Sequence, residues 1–260
     1  MGLITLTTDL GTTDSYVASV KGAIYSAYPE ATVVDITHQI QPADIYKAAF
    51  VLKTCVNDFP DGTVHIIGVD SEATANNVHV VVQYKNQFFI GTDNGIFSLI
   101  FDVEPQKVVE LDFSLDSSAI NFPTRDVFVK AACHLAKGGT IEFLGKAKNS
   151  LKKLNTYRAI SEQNAIVGLA LYIDNYGNVI TNITKNMFVE FGKGRSFEIL
   201  FRRKNYNINK ITNNYNDVPD GERLALFSST GYIEIAINKG KANKLLGINQ
   251  NDMIRIEFYD

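Results

Sequence analysis

Apolar positions in the first half of the chain alternate between two rhythms. Leu3-Ile4-Thr5-Leu6 is a short β-branched run of the kind that forms a buried strand. After a polar stretch, Val17, Val20, Ile24 and Tyr25 recur at helical spacing, and Asp14 or Thr13 is placed to cap that helix. Thr32 to Ile36 predicts a second strand. Asp44 to Val56 predicts a helix with Ile45, Ala48, Ala49, Leu52 and Cys55 on one side. Val64 to Val69 reads as a third strand, and Val78 to Val82 with Gln87 to Ile90 as a hairpin about Lys85-Asn86. Asp93-Asn94-Gly95 begins a turn, with a short helix from Ile96. Val108 to Leu111 is a further strand, and Arg125 to Ala136 a helix with Val127, Val129, Ala132 and Leu135 inward. Strands alternating with helices predict α/β layers around a mainly parallel sheet.

From Lys146 to Asn164 the apolar rhythm stops, and Lys, Asn and Ser accumulate as they do between domains. Beyond it, Ala165 to Ile173, Phe197 to Arg202, Arg223 to Phe227, Tyr232 to Asn238 and Met253 to Phe258 read as short strands between Gly, Asn and Asp turns. The expected organisation is an α/β N-terminal domain over residues 1–150 and a connecting segment over 151–164. A smaller all-β, barrel-like C-terminal domain follows over 165–260.

Composition narrows the function without naming it. Hydrophobic content of 45% and charged content of 20% over 260 residues describe an ordinary soluble globular protein. A net charge of −3 gives no electrostatic footprint for nucleic acid or an anionic membrane. No apolar run approaches a membrane span, and the amino terminus reads as a strand rather than a signal peptide. Cys55 and Cys133 lie in apolar helical surroundings, as free thiols of a reducing cytosol do, so a cytoplasmic location is expected. There is no P-loop, no glycine-rich dinucleotide fingerprint, no nucleophile elbow and no zinc-type Cys/His spacing, so no cofactor or metal is expected. His65 and His79 fall in strands and His134 in a helix, where a hydrogen-bonded structural role is the simpler reading. His38 follows the second strand, as a turn residue or near a pocket.

Polar clusters repeatedly follow strands, at the carboxyl ends where open α/β sheets bind ligands. Asp9 and Asp14 follow the first strand, where two carboxylates suit a ligand offering hydroxyls or an ammonium group. A turn-ordering Asp9 and a helix-capping Asp14 are the alternative readings. Asp70, Ser71 and Glu72 follow the third strand, Thr92, Asp93 and Asn94 the hairpin, and Thr124, Arg125 and Asp126 open the last large helix. Asp174-Asn175-Tyr176-Gly177-Asn178 and Ser228-Ser229-Thr230-Gly231 do the same in the second half.

Taken together, these stretches resemble a known family. Thr8-Asp9-Leu10-Gly11-Thr12-Thr13-Asp14-Ser15-Tyr16-Val17 with Lys21-Gly22, then Val34-Asp35-Ile36-Thr37-His38, then Asp93-Asn94-Gly95 are similar to motifs of the S-adenosylmethionine (SAM) hydrolases. These are also called SAM hydroxide adenosyltransferases and are relatives of the fluorinase and chlorinase. Ile173 to Asn182 and Ser228 to Ala236 resemble the second-domain motifs. The resemblance implies a homotrimer with SAM held between one subunit's first domain and its neighbour's second. It implies Asp9 on the ribose hydroxyls, Asp14 and Asp174 facing the methionine ammonium, and Ser229 facing its carboxylate. Asn178 would meet the adenine edge and Tyr215 would stack on the base. Thr92, Asn94 and Thr124 join them as substrate-binding candidates. The tryptophan of the halogenase pocket has no counterpart, and Ala43 stands there.

The resemblance departs at the water site, where the hydrolases carry an Asp-Arg-His set. Asp70 is retained, Asn77 stands where the Arg is expected, and Pro123 replaces the His in Phe122-Pro123-Thr124-Arg125-Asp126. Asp70 and, from its position in the same loop, Glu72 are the catalytic candidates; a solvated loop acid is the plainer reading of Glu72. Three readings follow: a SAM hydrolase forming adenosine and methionine, a SAM- or adenosine-binding protein, and a SAM-dependent halogenase. The last is disfavoured, because Asp70 would set negative charge beside the halide.

Overall fold

The amino-terminal apolar run becomes β1 (Leu3–Thr8), two residues longer than its hydrophobic pattern, because Thr7 and Thr8 keep their register beside Ile67 and Gly68 of β3 (Val64–Gly68). The computed structural model describes residues 2–112, 121–155, 157–201 and 207–260. The chain falls into two units, Met1–Asn155 and Thr156–Asp260.

In the first unit β1 lies between β2 (Thr32–Thr37) and β3, parallel to both, with α1 (Tyr16–Ala27) and α2 (Ile45–Cys55) as connections. The predicted hairpin is β4 (His79–Tyr84) and β5 (Gln87–Thr92), turned by left-handed Lys85 and Asn86. Then come α3 (Ile96–Ile100), β6 (Lys107–Leu111), α4 (Val129–Ala136) and β7 (Gly145–Ala147). The sheet order is β2-β1-β3-β5-β4-β6-β7. Only β2, β1, β3 and β5 run parallel; β5-β4-β6-β7 is antiparallel, so the sheet is mixed rather than mainly parallel. A two-residue turn returns the chain antiparallel, whereas parallel pairing needs a crossover.

Both faces of this sheet are covered, which explains the near-continuous apolar strands. Ile4, Leu6, Ile66 and Ile90 pack with residues of α1 and α4, while Ile67, Val80, Val82 and Phe89 pack with residues of α2 and α3. Two local expectations are corrected. Helix α1 begins after Ser15 with no side-chain cap, so neither Thr13 nor Asp14 caps it. The helix expected from Arg125 starts instead as a π-turn over Thr124–Phe128, the wider coil common at functional sites.

The second unit holds β8 (Ile160–Ser161), β9 (Ala165–Ile173), β10 (Val179–Thr184), α5 (Lys185–Gly192) and β11 (Ser196–Phe201). β12 (Arg223–Phe227), β13 (Tyr232–Ile237), α6 (Ala242–Leu245) and β14 (Met253–Tyr259) complete it. Its antiparallel order is β11-β14-β9-β10-β13-β12, with β8 on β9. Ile208 pairs with Ile199 of β11 and Ile211 with Ala225 of β12, so one short segment bridges both end strands. The unit is β-rich rather than all-β: Thr184 accepts from the Met187 N–H and starts α5, whose Met187, Phe188 and Phe191 cover the core. β8 lies inside the stretch expected to be irregular, and Arg202, the last residue of one expected strand, lies outside the described residues.

His65 of β3 is fully buried, with Nδ1 2.7 Å from Thr5 Oγ1, Nε2 3.3 Å from Gln87 Oε1, and its ring stacked on Phe89. Burial lowers its pKa from 6.5 to about 4. The folded chain therefore holds fewer protons than the unfolded chain across that window. Stability is expected to fall on the order of 3 kcal/mol as pH drops from 6.5 to 4, with half-buried His79 adding in the same direction. Urea unfolding across this range measures the slope, which His65→Gln should flatten.

Candidate active site

Asp9 follows β1 and draws three strand ends together. Its N–H donates to Gly68 O, and its Oδ2 accepts from the Ala43 N–H at 3.0 Å and the Asp70 N–H at 3.3 Å. Both donors are left-handed, with φ of 61° at Ala43 and 47° at Asp70. A residue with a side chain enters that region at a cost on the order of 1 kcal/mol or more. Charge-assisted hydrogen bonds to one carboxylate offset that cost and aim the two loops at Asp9.

The turn after β1 is braced from the other side. Lys21 Nζ donates to Asp35 Oδ2 at 2.6 Å, and His38 Nε2 lies 3.2 Å from Asp35 Oδ1, too far off line for a hydrogen bond. His38 Nδ1 meets Thr8 Oγ1 at 2.8 Å, and the Gly11 N–H donates to His38 O. Burial opposes ionisation of Asp35, yet Lys21 and His38 together hold its pKa below the ordinary value. The Lys21, Asp35 and His38 motif positions thus form one structural chain.

Asp70 is exposed and opens a loop closed by two-way backbone bonds between Thr74 and Asn77. His79 Nε2 donates to Ser71 O at 2.9 Å at the loop's root. Asn94 Nδ2 lies 3.4 Å from Asp70 Oδ2 and from Asp70 O, while its Oδ1 accepts from the Ile96 N–H. Thr92 and Thr124 are buried, and among the described residues neither hydroxyl has a partner. Thr124 packs on the bare Cα of Gly68, where a Cβ would sit 2.7 Å from its Oγ1, so this approach requires glycine. Asp14 and Glu72 are exposed and stand outside these hydrogen bonds.

In the second unit the turn from β9 to β10 is built on Asp174. Its Oδ1 accepts from the Asn178 N–H at 2.8 Å and its Oδ2 from Asn178 Nδ2 at 3.1 Å. Tyr215, 42% exposed, donates its hydroxyl to Glu234 Oε1 at 2.6 Å. Ser229 is exposed in the tight turn between β12 and β13, where the Gly231 N–H donates to Ser228 O.

The structure joins Asp9, Asp70 and Asn94 through hydrogen bonds, and Asp174 with Asn178. Sequence reasoning missed Ala43 as an Asp9 partner and Glu234 as the anchor of Tyr215. Glu234 had a visible signal, an acid inside the apolar strand Tyr232-Ile233-Glu234-Ile235-Ala236. Ala43 had none, because a backbone N–H carries no mark in the sequence. Among the described residues no group of three or more His, Cys, Asp or Glu could hold a metal ion. No described helix is long and apolar enough to cross a membrane.

Burial raises the Glu234 pKa, Asp174 adding to the effect and the Tyr215 hydrogen bond opposing it. The folded unit thus keeps a proton that the unfolded chain releases near 4.5, and loses stability as pH rises above that value. Glu234→Gln keeps an acceptor for Tyr215 and removes the buried charge. It is expected to unfold at higher denaturant than wild type at pH 8, with the gap closing towards pH 4.

Comparison with known proteins bears on both units. The SAM hydroxide adenosyltransferase N-terminal domain matches residues 4–145, and the C-terminal domain of the same family matches residues 168–255. An (R)-S-adenosyl-L-methionine hydrolase of Methanocaldococcus jannaschii is 28% identical, over 98% of this chain and 96% of that one. A fluorinase of Nocardia brasiliensis is 24% identical, over 91% of this chain and 90% of its own. The crystal structure of an uncharacterized conserved protein from Thermotoga maritima aligns with a TM-score of 0.89 at 29% identity, covering 98% of this chain and 99% of that one. With both halves matched in order, the chain belongs to the SAM hydroxide adenosyltransferase family.

Proposed function

We propose that this protein is a SAM hydrolase. Water attacks the ribose C5′, the O–C5′ bond forms as the C5′–S bond breaks, and the electron pair leaves with sulfur. The sulfonium becomes the neutral thioether of methionine, and the water, having lost a proton, becomes the 5′-hydroxyl of adenosine. The observation that carries this reading is the full-length similarity to relatives named SAM hydrolases, which spans both units. The leaving group is already activated, so the protein's task is to orient a desolvated nucleophile in line.

On this reading Asp9 Oδ1 accepts from a ribose hydroxyl while Oδ2 holds the two loops. Asp70, with Glu72 in the same loop, holds the water and takes its proton. Thr92 and Thr124 turn their hydroxyls to the substrate, and Asn94 fixes Asp70. Asp14 and Asp174 face the ammonium group, Ser229 the carboxylate and Asn178 the adenine edge, and Tyr215 stacks on the base. The domains are an α/β layer over 1–150 and a barrel-like layer over 165–260, joined by 151–164. The working unit is a cytoplasmic homotrimer, each pocket completed by a neighbour's second domain. A SAM- or adenosine-binding protein without turnover is the second reading, favoured by Asn77 and Pro123.

Incubation with SAM followed by chromatography is expected to yield adenosine and methionine in equal amounts. Asp70→Asn should lower the rate about 10²–10⁴-fold with SAM affinity nearly unchanged, since Asn retains an acceptor for Asn94. Binding without turnover by wild type would replace the hydrolase reading with the binding reading. Sedimentation is expected to give three chains per particle; a monomer binding adenosine at full affinity would exclude the shared pocket.

A further inference from the structure

We propose that the Lys152 ammonium is the positioning group for the loop that carries Asp70, a role that rests on the hydrolase reading for its catalytic consequence. Lys152 lies in the segment expected to be a featureless connection. Its backbone N–H donates to Asp93 Oδ1 at 2.9 Å, and its Nζ donates to Asn77 Oδ1 at 3.0 Å. The segment is tied down on both sides of it. Lys148 Nζ lies 3.7 Å from Asp93 Oδ2, and the Leu154 N–H donates to Ser98 Oγ at 3.0 Å. Leu154 also packs over Gly95, whose missing Cβ would stand 2.4 Å from Leu154 Cγ.

These contacts close a circuit around Asp70. From Lys152 one branch runs through Asp93 to its chain neighbour Asn94, which donates to Asp70 Oδ2. The other branch runs through Asn77, paired with Thr74 in both directions at 2.9 and 3.2 Å, and back along the loop to Asp70. The loop's root is held by the Asp9 carboxylate and by His79 on Ser71 O. Among the described residues, Lys152 is the side-chain donor that holds its tip from outside, through Asn77 Oδ1. An exposed lysine contact is ordinarily weak, because ordering a long side chain offsets the attraction. Here the backbone of Lys152 is already fixed on the buried Asp93 carboxylate, so only the side chain remains to be ordered. The ammonium thus bonds the amide that closes the loop, at a position where family resemblance leads one to expect a cation from residue 77 itself.

The test uses the full chain with Lys152→Met, which keeps an apolar stem, and Lys152→Arg, which keeps the charge. Lys152→Met is expected to speed hydrogen exchange at the Thr74 and Asn77 amides about tenfold, the scale of one hydrogen bond to a charged group. It should lower kcat for SAM turnover by a similar factor with KM within about twofold, because the substrate contacts stay in place. Lys152→Arg should restore exchange and kcat to within roughly threefold of wild type. Unchanged exchange in Lys152→Met overturns the proposal, as does a Lys152→Arg variant no better than Lys152→Met. Faster exchange with unchanged kcat overturns the link to Asp70. A wild type that turns over no SAM defeats the hydrolase reading, while the exchange rates still decide whether Lys152 holds the loop.

Discussion

One carboxylate oxygen organises the first unit's carboxyl-end face. Asp9 Oδ2 accepts from two backbone N–H groups that come from different loops, both in left-handed conformation. Ala43 would not adopt that backbone for local reasons, since its side chain is disfavoured there, and Asp70 tolerates it better but is still not driven to it. The ion supplies the compensation, and the loops after β2 and β3 take their directions from it. Losing Asp9 would therefore release the backbone that carries Asp70 as well as remove a ligand contact. Structural and proposed binding roles meet in a single side chain, one oxygen for each.

The remaining polar groups of that face are arranged by the same economy of partners. Asn94 links the hairpin's exit to Asp70, His79 fixes Ser71, and Lys21 with Asp35 and His38 brace the opposite turn. Among the described residues the buried hydroxyls of Thr92 and Thr124 have no hydrogen-bond partner, and nor do Thr7 Oγ1 and His38 Nε2. Buried polar groups are normally satisfied, and an exception at the carboxyl end of a sheet is suited to a ligand. The second unit follows a parallel design: Asp174 folds its own turn around Asn178, and buried Glu234 anchors the half-exposed ring of Tyr215.

Much of this was legible in the sequence because it is local. The runs that became β1, β3, β4 and β5 follow from short continuous apolar stretches rich in β-branched residues, the Lys85-Asn86 turn from its residue types, and α2 from helical spacing after Asp44. The polar residues after each strand could be read as ligand-facing, since a strand's end fixes which residues leave the sheet. The resemblance of those clusters to one family was likewise carried by short contiguous motifs. The mixed direction of the sheet was less visible, as pairing partners for β6 and β7 lie far away in sequence. Helix α5 was not read from the sequence, since Lys185 to Gly192 spans only eight residues, too few for helical spacing to stand out among strands.

The sequence by itself determined which residue types stand at the strand ends, hence the chemistry available there: carboxylates, hydroxyls and amides. Tertiary structure alone decided how they are used. That Ala43 donates to Asp9, that Thr124 rests on Gly68, and that Lys152 reaches Asn77 across 75 residues are consequences of packing. Each such contact depends on a backbone N–H, a missing Cβ or a long flexible side chain. None of these leaves a periodic trace, because its partner is chosen by position in space rather than by distance along the chain.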